Sequence, residues 1–117
     1  SVIMLDLDNL PETDAAADTL EEVVMGLIIN AGQARSLAYN ALKQAKLGDF
    51  ETAKTLMEQS HAALHEAHRV QTQLIESDEG QGKIKVSLVL VHAQDHLMTA
   101  MLARELITEL IELHEKM

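Results

Sequence analysis

Apolar residues recur with helical spacing in three long blocks of the chain. In the first block Leu20, Val24, Leu27, Ala31, Ala34, Ala38, Ala41 and Ala45 alternate steps of four and three, a heptad stripe that Val23, Ile28 and Leu37 widen on one flank. The second runs Phe50, Ala53, Met57, Ser60, Leu64, Ala67, Gln71 and Leu74, with Leu56, Ala63 and Val70 beside it. The third has no polar stripe: Val86, Leu88, Val89, Leu90, Val91, Ala93, Leu97, Met98, Ala100, Met101 and Leu102 crowd its turns. Steps of three and four put side chains on one helical face. Three helices are predicted, over about residues 20–47, 50–76 and 83–116.

The punctuation agrees. Thr19-Leu20-Glu21-Glu22 fits a capping box, with Thr19 as cap and Glu22 reaching back. Lys43 and Lys46 favour the negative end of the first helix dipole, and Gly48 stops it. Asp49 is the next cap, and the polar run ESDEGQG at 76–82 separates the second and third helices. Connections this short force antiparallel neighbours. The expected fold is therefore all-α, an antiparallel up-down-up three-helix bundle over residues 19–117, after a poorly ordered leader at 1–18 that contains Pro11 and the run PETDAAAD.

A helix that is apolar all round must be covered all round. Two neighbours within a protomer cover about two thirds of the third helix, so the remainder calls for a partner chain packed along it, with cyclic symmetry.

Composition narrows the function classes. Hydrophobic residues make up 47% of the 117, yet aromatics only 2%, so the core is built of Leu, Val, Ile, Met and Ala. The net charge of -10 argues against nucleic acid, whose binding rests on Lys and Arg neutralising phosphates. The absence of Cys removes disulfides and thiolate chemistry and fits a reducing compartment. No apolar run approaches the ~20 residues that span a bilayer. The expected setting is the cytoplasm, without direct membrane insertion.

Candidate chemistry concentrates in the most apolar helix. There His92, Gln94, Asp95 and His96 interrupt VSLVLVHAQDHLMTAMLARELI, and His92, Asp95, His96 and Thr99 share one face, in line with Leu88, Leu102, Leu106 and Leu113. Copies of Asp95 brought together by symmetry would repel by about 4 kcal/mol per pair at roughly 4 Å and an effective dielectric of about 20. Protonation or a shared cation offsets that. The residues alone leave four readings open: a structural network fixing helix register, a metal site on His92, Asp95 and His96, an imidazole nucleophile or general base, and a binding pocket of another kind.

Two further features carry weaker signals. His61, His65 and His68 also share a face, near Glu58 and Glu66, but HEAH lacks the spacing of a zinc motif and its neighbours Gln59, Ser60, Gln71 and Gln73 mark a solvated side. Lys85, seven residues before His92, would in a continuous helix lie about 10 Å away on nearly the same face, as a source of positive potential or a docking contact. Its plain reading is a solvated lysine near a helix start.

Two segments order the readings: GLIINAGQARSLAYNALKQAKLGDFETAKTLMEQS, and AHRVQTQLIESDEGQGKIKVSLVLVHAQDHLMTAMLARELITELIELHEK. They resemble the lactose/cellobiose-type enzyme IIA of the bacterial phosphoenolpyruvate:sugar phosphotransferase system, with particular likeness to its N,N′-diacetylchitobiose branch. The likeness covers residues 19–117, with VHAQDHLM as its most specific marker. It implies a homotrimer with the third helices around the threefold axis, and a phosphohistidine at His92 loaded by the histidine phosphocarrier protein. The phosphoryl group would pass to a cysteine of the IIB component, which serves sugar entering through the membrane IIC component. It further implies Asp95 as the axial aspartate whose three copies hold a divalent cation, Mg2+, and Gln94 and His96 as residues that hydrogen-bond or orient the phosphoryl group. The implied sugar is a β-linked disaccharide: chitobiose, cellobiose or lactose. The reading from another class is a trimeric helical metal-binding or scaffold protein without phosphoryl transfer.

Overall fold

A computed structural model describes residues 14–117 as three long helices, α1 (Asp14–Lys46), α2 (Phe50–Asp78) and α3 (Leu88–Glu115), with no strand among the described residues. Residues 1–13, most of the expected leader, lie outside them. The first helix begins at Asp14, so Thr19 sits inside it and is not its cap. The run from residue 14 to 18 carries three alanines, the strongest helix formers. Local propensity therefore extends the helix past the capping signal.

The second helix opens as expected: the Asp49 carboxylate accepts from the Thr52 N–H at 3.1 Å. It closes two residues later than expected, on Glu79 in the left-handed region at φ 53. The third helix begins five residues later than the pattern predicts. Gly80 and Gly82, at φ 68 and 71, turn the chain. The Asp78 carboxylate then pins the loop, accepting from the Gly82 N–H at 3.2 Å and the Ile84 N–H at 2.9 Å. The chain stays outside any helix until Ser87, itself extended, whose hydroxyl caps α3 by accepting from the Leu90 N–H at 3.2 Å. Lys85 thus lies outside the helix, and the register that placed it beside His92 does not reach it.

Core contacts fix the directions. Ala41 and Ala45, late in α1, pack with Ala53, early in α2, and with Ile111, late in α3. At the other end Val24 and Leu27 join Leu74 and Ala93. The bundle runs up, down, up, so α1 and α3 are parallel. Alanines at 31, 34, 38, 41 and 45 are all buried and let α2 approach closely. The buried Ser60 hydroxyl donates to the Ala34 carbonyl at 2.6 Å across that seam. α1 is packed against both other helices, whereas α2 meets α3 only thinly.

α3 buries Ala93, Leu97, Ala100 and Ile107. Its opposite side stays open in the single chain: Leu88, Val91, Met98, Leu102, Leu106, Leu110 and Leu113 are all exposed. No helix of the described residues is long and apolar enough to cross a membrane.

Candidate functional site

The site is set by where α3 starts. With Ser87 as cap, His92 falls in the second turn, followed one turn later by His96. Their rings stack with centroids 5.7 Å apart and planes 12° from parallel. His92 is exposed and His96 half-buried, so in the single chain neither imidazole is sealed from solvent. The helical turn explains this. The residues that face the core here are Ala93, Leu97 and Ala100, about 80–140° around the helix from His92.

His96 leans on α1. Its Nε2 lies 3.3 Å from the point that a Cβ on Gly32 would occupy, so the missing side chain of Gly32 makes room for the ring. Beyond His96 an open groove of about 700 Å³ follows α1, lined by Gly32, Arg35, Ser36, Tyr39, Asn40 and Lys43. The Arg35 guanidinium sits over the Tyr39 ring at 5.5 Å.

Asp95 is exposed, and its carboxylate has no hydrogen bond or ion pair among the described residues. It stands within the open apolar stripe, with Val91 one turn before it and Met98 and Leu102 after it. Thr99 shares this face, but its hydroxyl bonds to the Asp95 and His96 carbonyls at 3.0 and 3.1 Å and touches neither acid nor imidazole. Gln94 is on another side of α3, about 200° from His92. There its side-chain oxygen accepts from Nε2 of the buried Gln71 on α2. The structure therefore brings His92 and His96 together, sets Asp95 beside them on the open face, and turns Gln94 into the α2 seam.

His61, His65 and His68 are exposed on α2, the first two with ring centroids 6.3 Å apart, but Ser60 and Gln71, expected with them on the solvated side, are buried in the core seam. Among the described residues no group of three His, Cys, Asp or Glu side chains is placed to hold a metal within one chain. Gly32, Gln71 and the Arg35–Lys43 groove went unread as parts of this region. The one available signal was Gln71 at a heptad core position, where an amide needs a buried partner.

The arrangement offers an accessible imidazole for nucleophilic or acid–base work, next to an open apolar face. Comparison with known proteins then identifies it. The profile of the family "PTS system, Lactose/Cellobiose specific IIA subunit" matches residues 22–115. The N,N'-diacetylchitobiose-specific EIIA component of Escherichia coli (strain K12) is 76% identical over 114 residues, 97% of this chain and 98% of that protein. In the solution structure of the IIA(Chitobiose)–HPr complex of the Escherichia coli phosphotransferase system, the IIA chain is 80% identical, with a TM-score of 0.74 over 83% of this chain and 94% of that one. The crystal structure of the cellobiose-specific enzyme IIA from Bacillus anthracis is 42% identical, with a TM-score of 0.79 over 92% of this chain and 94% of that one. On the family match and the extent of these likenesses, the chain belongs to the lactose/cellobiose-specific IIA subunits of the phosphotransferase system.

Proposed function

We propose that the chain is the phosphocarrier of a phosphotransferase system for a β-linked disaccharide in the cytoplasm. N,N′-diacetylchitobiose is the favoured sugar, by similarity to the chitobiose-specific relative. The observation that carries the reading is the exposed ring of His92 at the border of an unpartnered apolar face, within the marker segment VHAQDHLM. A neutral imidazole nitrogen of His92 attacks the phosphorus in line. The P–N bond to the donor histidine breaks as the new one forms, and the donor ring regains a proton from solvent. The donor is the histidine phosphocarrier protein, the partner seen with the related Escherichia coli chain. The phosphoryl group then moves to a cysteine thiolate of the IIB component. The P–N bond breaks, an S–P bond forms, and His92 is restored for the next cycle, while IIC carries the sugar. Transfer of this kind depends mainly on positioning and charge stabilisation.

The open stripe of α3 supports a homotrimer with three copies of α3 around one axis. Seven exposed apolar side chains in one line are costly in water and complementary to their own copies. In that assembly Asp95 meets its symmetry mates. One carboxylate does not make a cation site, but three converging ones supply the hard oxygen donors that Mg2+ takes, and a bound cation would offset their repulsion. A neighbouring subunit would also roof His92 and shield the labile P–N bond from water. His96, whose ring stacks on that of His92, would orient the ring or the phosphoryl group. Gln94 acts through the α2 seam.

Incubation with phosphoenolpyruvate, enzyme I and the histidine phosphocarrier protein tests the reading. Wild type takes up labelled phosphate, His92→Gln does not, and added IIB drains the label. No label on either would leave a trimeric helical metal-binding or scaffold protein.

A further inference from the structure

A phosphoryl group on His92 would bring two negative charges to a chain that already carries -10. Lys85, the cation that the sequence offered as compensation, lies outside α3. A different source is present. From Val23 to Gly48 the chain holds no carboxylate side chain, although it has 19 elsewhere, and that stretch contains Arg35, Lys43 and Lys46. Two of those cations, Arg35 and Lys43, line the groove that ends on His96, and no acid lines it with them. Neither forms an ion pair among the described residues, whose two salt bridges join Arg69 to Glu66 and Lys83 to Glu79. The Arg35 side chain is instead held over the Tyr39 ring, which orders it without neutralising it. His96 links the groove to His92 by its stacked ring, and the bare Cα of Gly32 lets it lie against α1.

We propose that Arg35 and Lys43 are charge-compensating residues for the phosphoryl group on His92, acting across His96 from the acid-free groove of α1. The inference rests on the phosphocarrier reading above and adds two positioning residues to it. Cations fixed near one end of a relay stabilise the phosphorylated form, so they raise the equilibrium share of phosphate held by this chain. A groove that only docks a partner protein would alter forward and reverse rates together and leave that share unchanged.

The experiment measures the equilibrium between the phosphorylated histidine phosphocarrier protein and this chain, at low and high salt, for wild type, Arg35→Gln, Lys43→Gln and the double variant. Arg35→Lys keeps the charge, and Lys54→Gln, on α2, serves as control. All of the changed side chains are exposed, and circular dichroism checks their folding. Loss of Arg35 should lower the equilibrium constant about two- to threefold at low ionic strength, loss of Lys43, roughly 16 Å along α1 from Gly32, should lower it less, and both effects should fade toward none at ~1 M salt. Arg35→Lys and Lys54→Gln should match wild type. An unchanged equilibrium in the double variant, whether or not both rates fall, overturns the proposal. Failure of wild type to take any label at His92 would instead sink the phosphocarrier reading, and this inference with it.

Discussion

Gly32 on α1 and His96 on α3 are so close that a methyl group on the glycine would stand 3.3 Å from the imidazole Nε2. Two effects of Gly32→Ala therefore point in opposite directions. Alanine in place of glycine inside a helix stabilises by about 1 kcal/mol. The added carbon displaces the ring by a few tenths of an ångström, and with it the stack on His92. The expected outcome is a melting temperature equal to or above wild type, shifted imidazole resonances of His96, and slower phosphoryl transfer. Unmoved His96 resonances with normal transfer would show that the close approach has no bearing on the site.

The amide pair Gln71 and Gln94 makes a separable prediction about stability. Gln71 is buried, and its Nε2 donates to Gln94 across the thin α2–α3 seam. Gln94→Leu strands that donor, which costs about 1–3 kcal/mol. Replacing both residues by Leu removes the orphan and should recover most of the loss. Denaturant melts of the two single variants and the double one give the coupling. If the double variant is as unstable as the sum of the singles, the pair does not act as a unit.

Stability at low pH should depend on Asp49. Hydrogen bonding to Thr52, through its side chain first and its backbone N–H second, holds this carboxyl below its ordinary value. A group lowered in the folded state contributes stability that is fully present above its unfolded value and is lost as pH falls through the folded one. Asp49→Ala should accordingly melt lower than wild type at neutral pH, and the gap should shrink as pH falls through the acidic range where the carboxyl takes its proton. A gap independent of pH would place the effect elsewhere in the turn.

Much of this architecture was legible because helical periodicity is a short-range signal. The alanine stripe of α1, the Asp49 cap and the up-down-up order follow from spacing alone, and the structure reproduces them. The start of α3 was not legible. Val86 reads as an apolar helix position, whereas the Asp78 carboxylate holds the loop and Ser87 wins as cap. Those hydrogen bonds depend on a turn that spacing does not encode. The site divides in the same way. His92, Asp95 and His96 share a face by arithmetic, but the partners of His96 and Gln94 come from α1 and α2. The groove at Arg35 was not legible because what distinguishes it is a stretch without carboxylates, and no spacing marks an absence.

The open face of α3 makes the assembly itself testable. Leu102 and Leu106 are each 55% exposed in the single chain and lie along the stripe on the C-terminal side of Asp95. Since about half of each side chain is still to be covered, burial against other copies would contribute about 1–1.5 kcal/mol per leucine. Leu102→Asp with Leu106→Asp reverses that contribution and sets like charges against each other. The double variant should sediment as a monomer while keeping its helical circular dichroism. A trimer that survives both changes would mean that some other surface holds the copies together.

Asp95→Leu probes the same seam from the other side. In the proposed trimer it removes three mutually repelling carboxylates, at about 4 kcal/mol per pair if they approach to ~4 Å at an effective dielectric of about 20. The new leucines continue the line from Val91 to Met98 and Leu102. The variant should therefore remain a trimer by sedimentation and melt above metal-free wild type. Wild type should gain stability on addition of Mg2+ and lose it with a chelator, since a cation that binds only the folded assembly stabilises it by mass action. Asp95→Leu should be indifferent to both. A monomeric Asp95→Leu protein would show that the carboxylate organises the interface directly and does not merely tolerate a place in it.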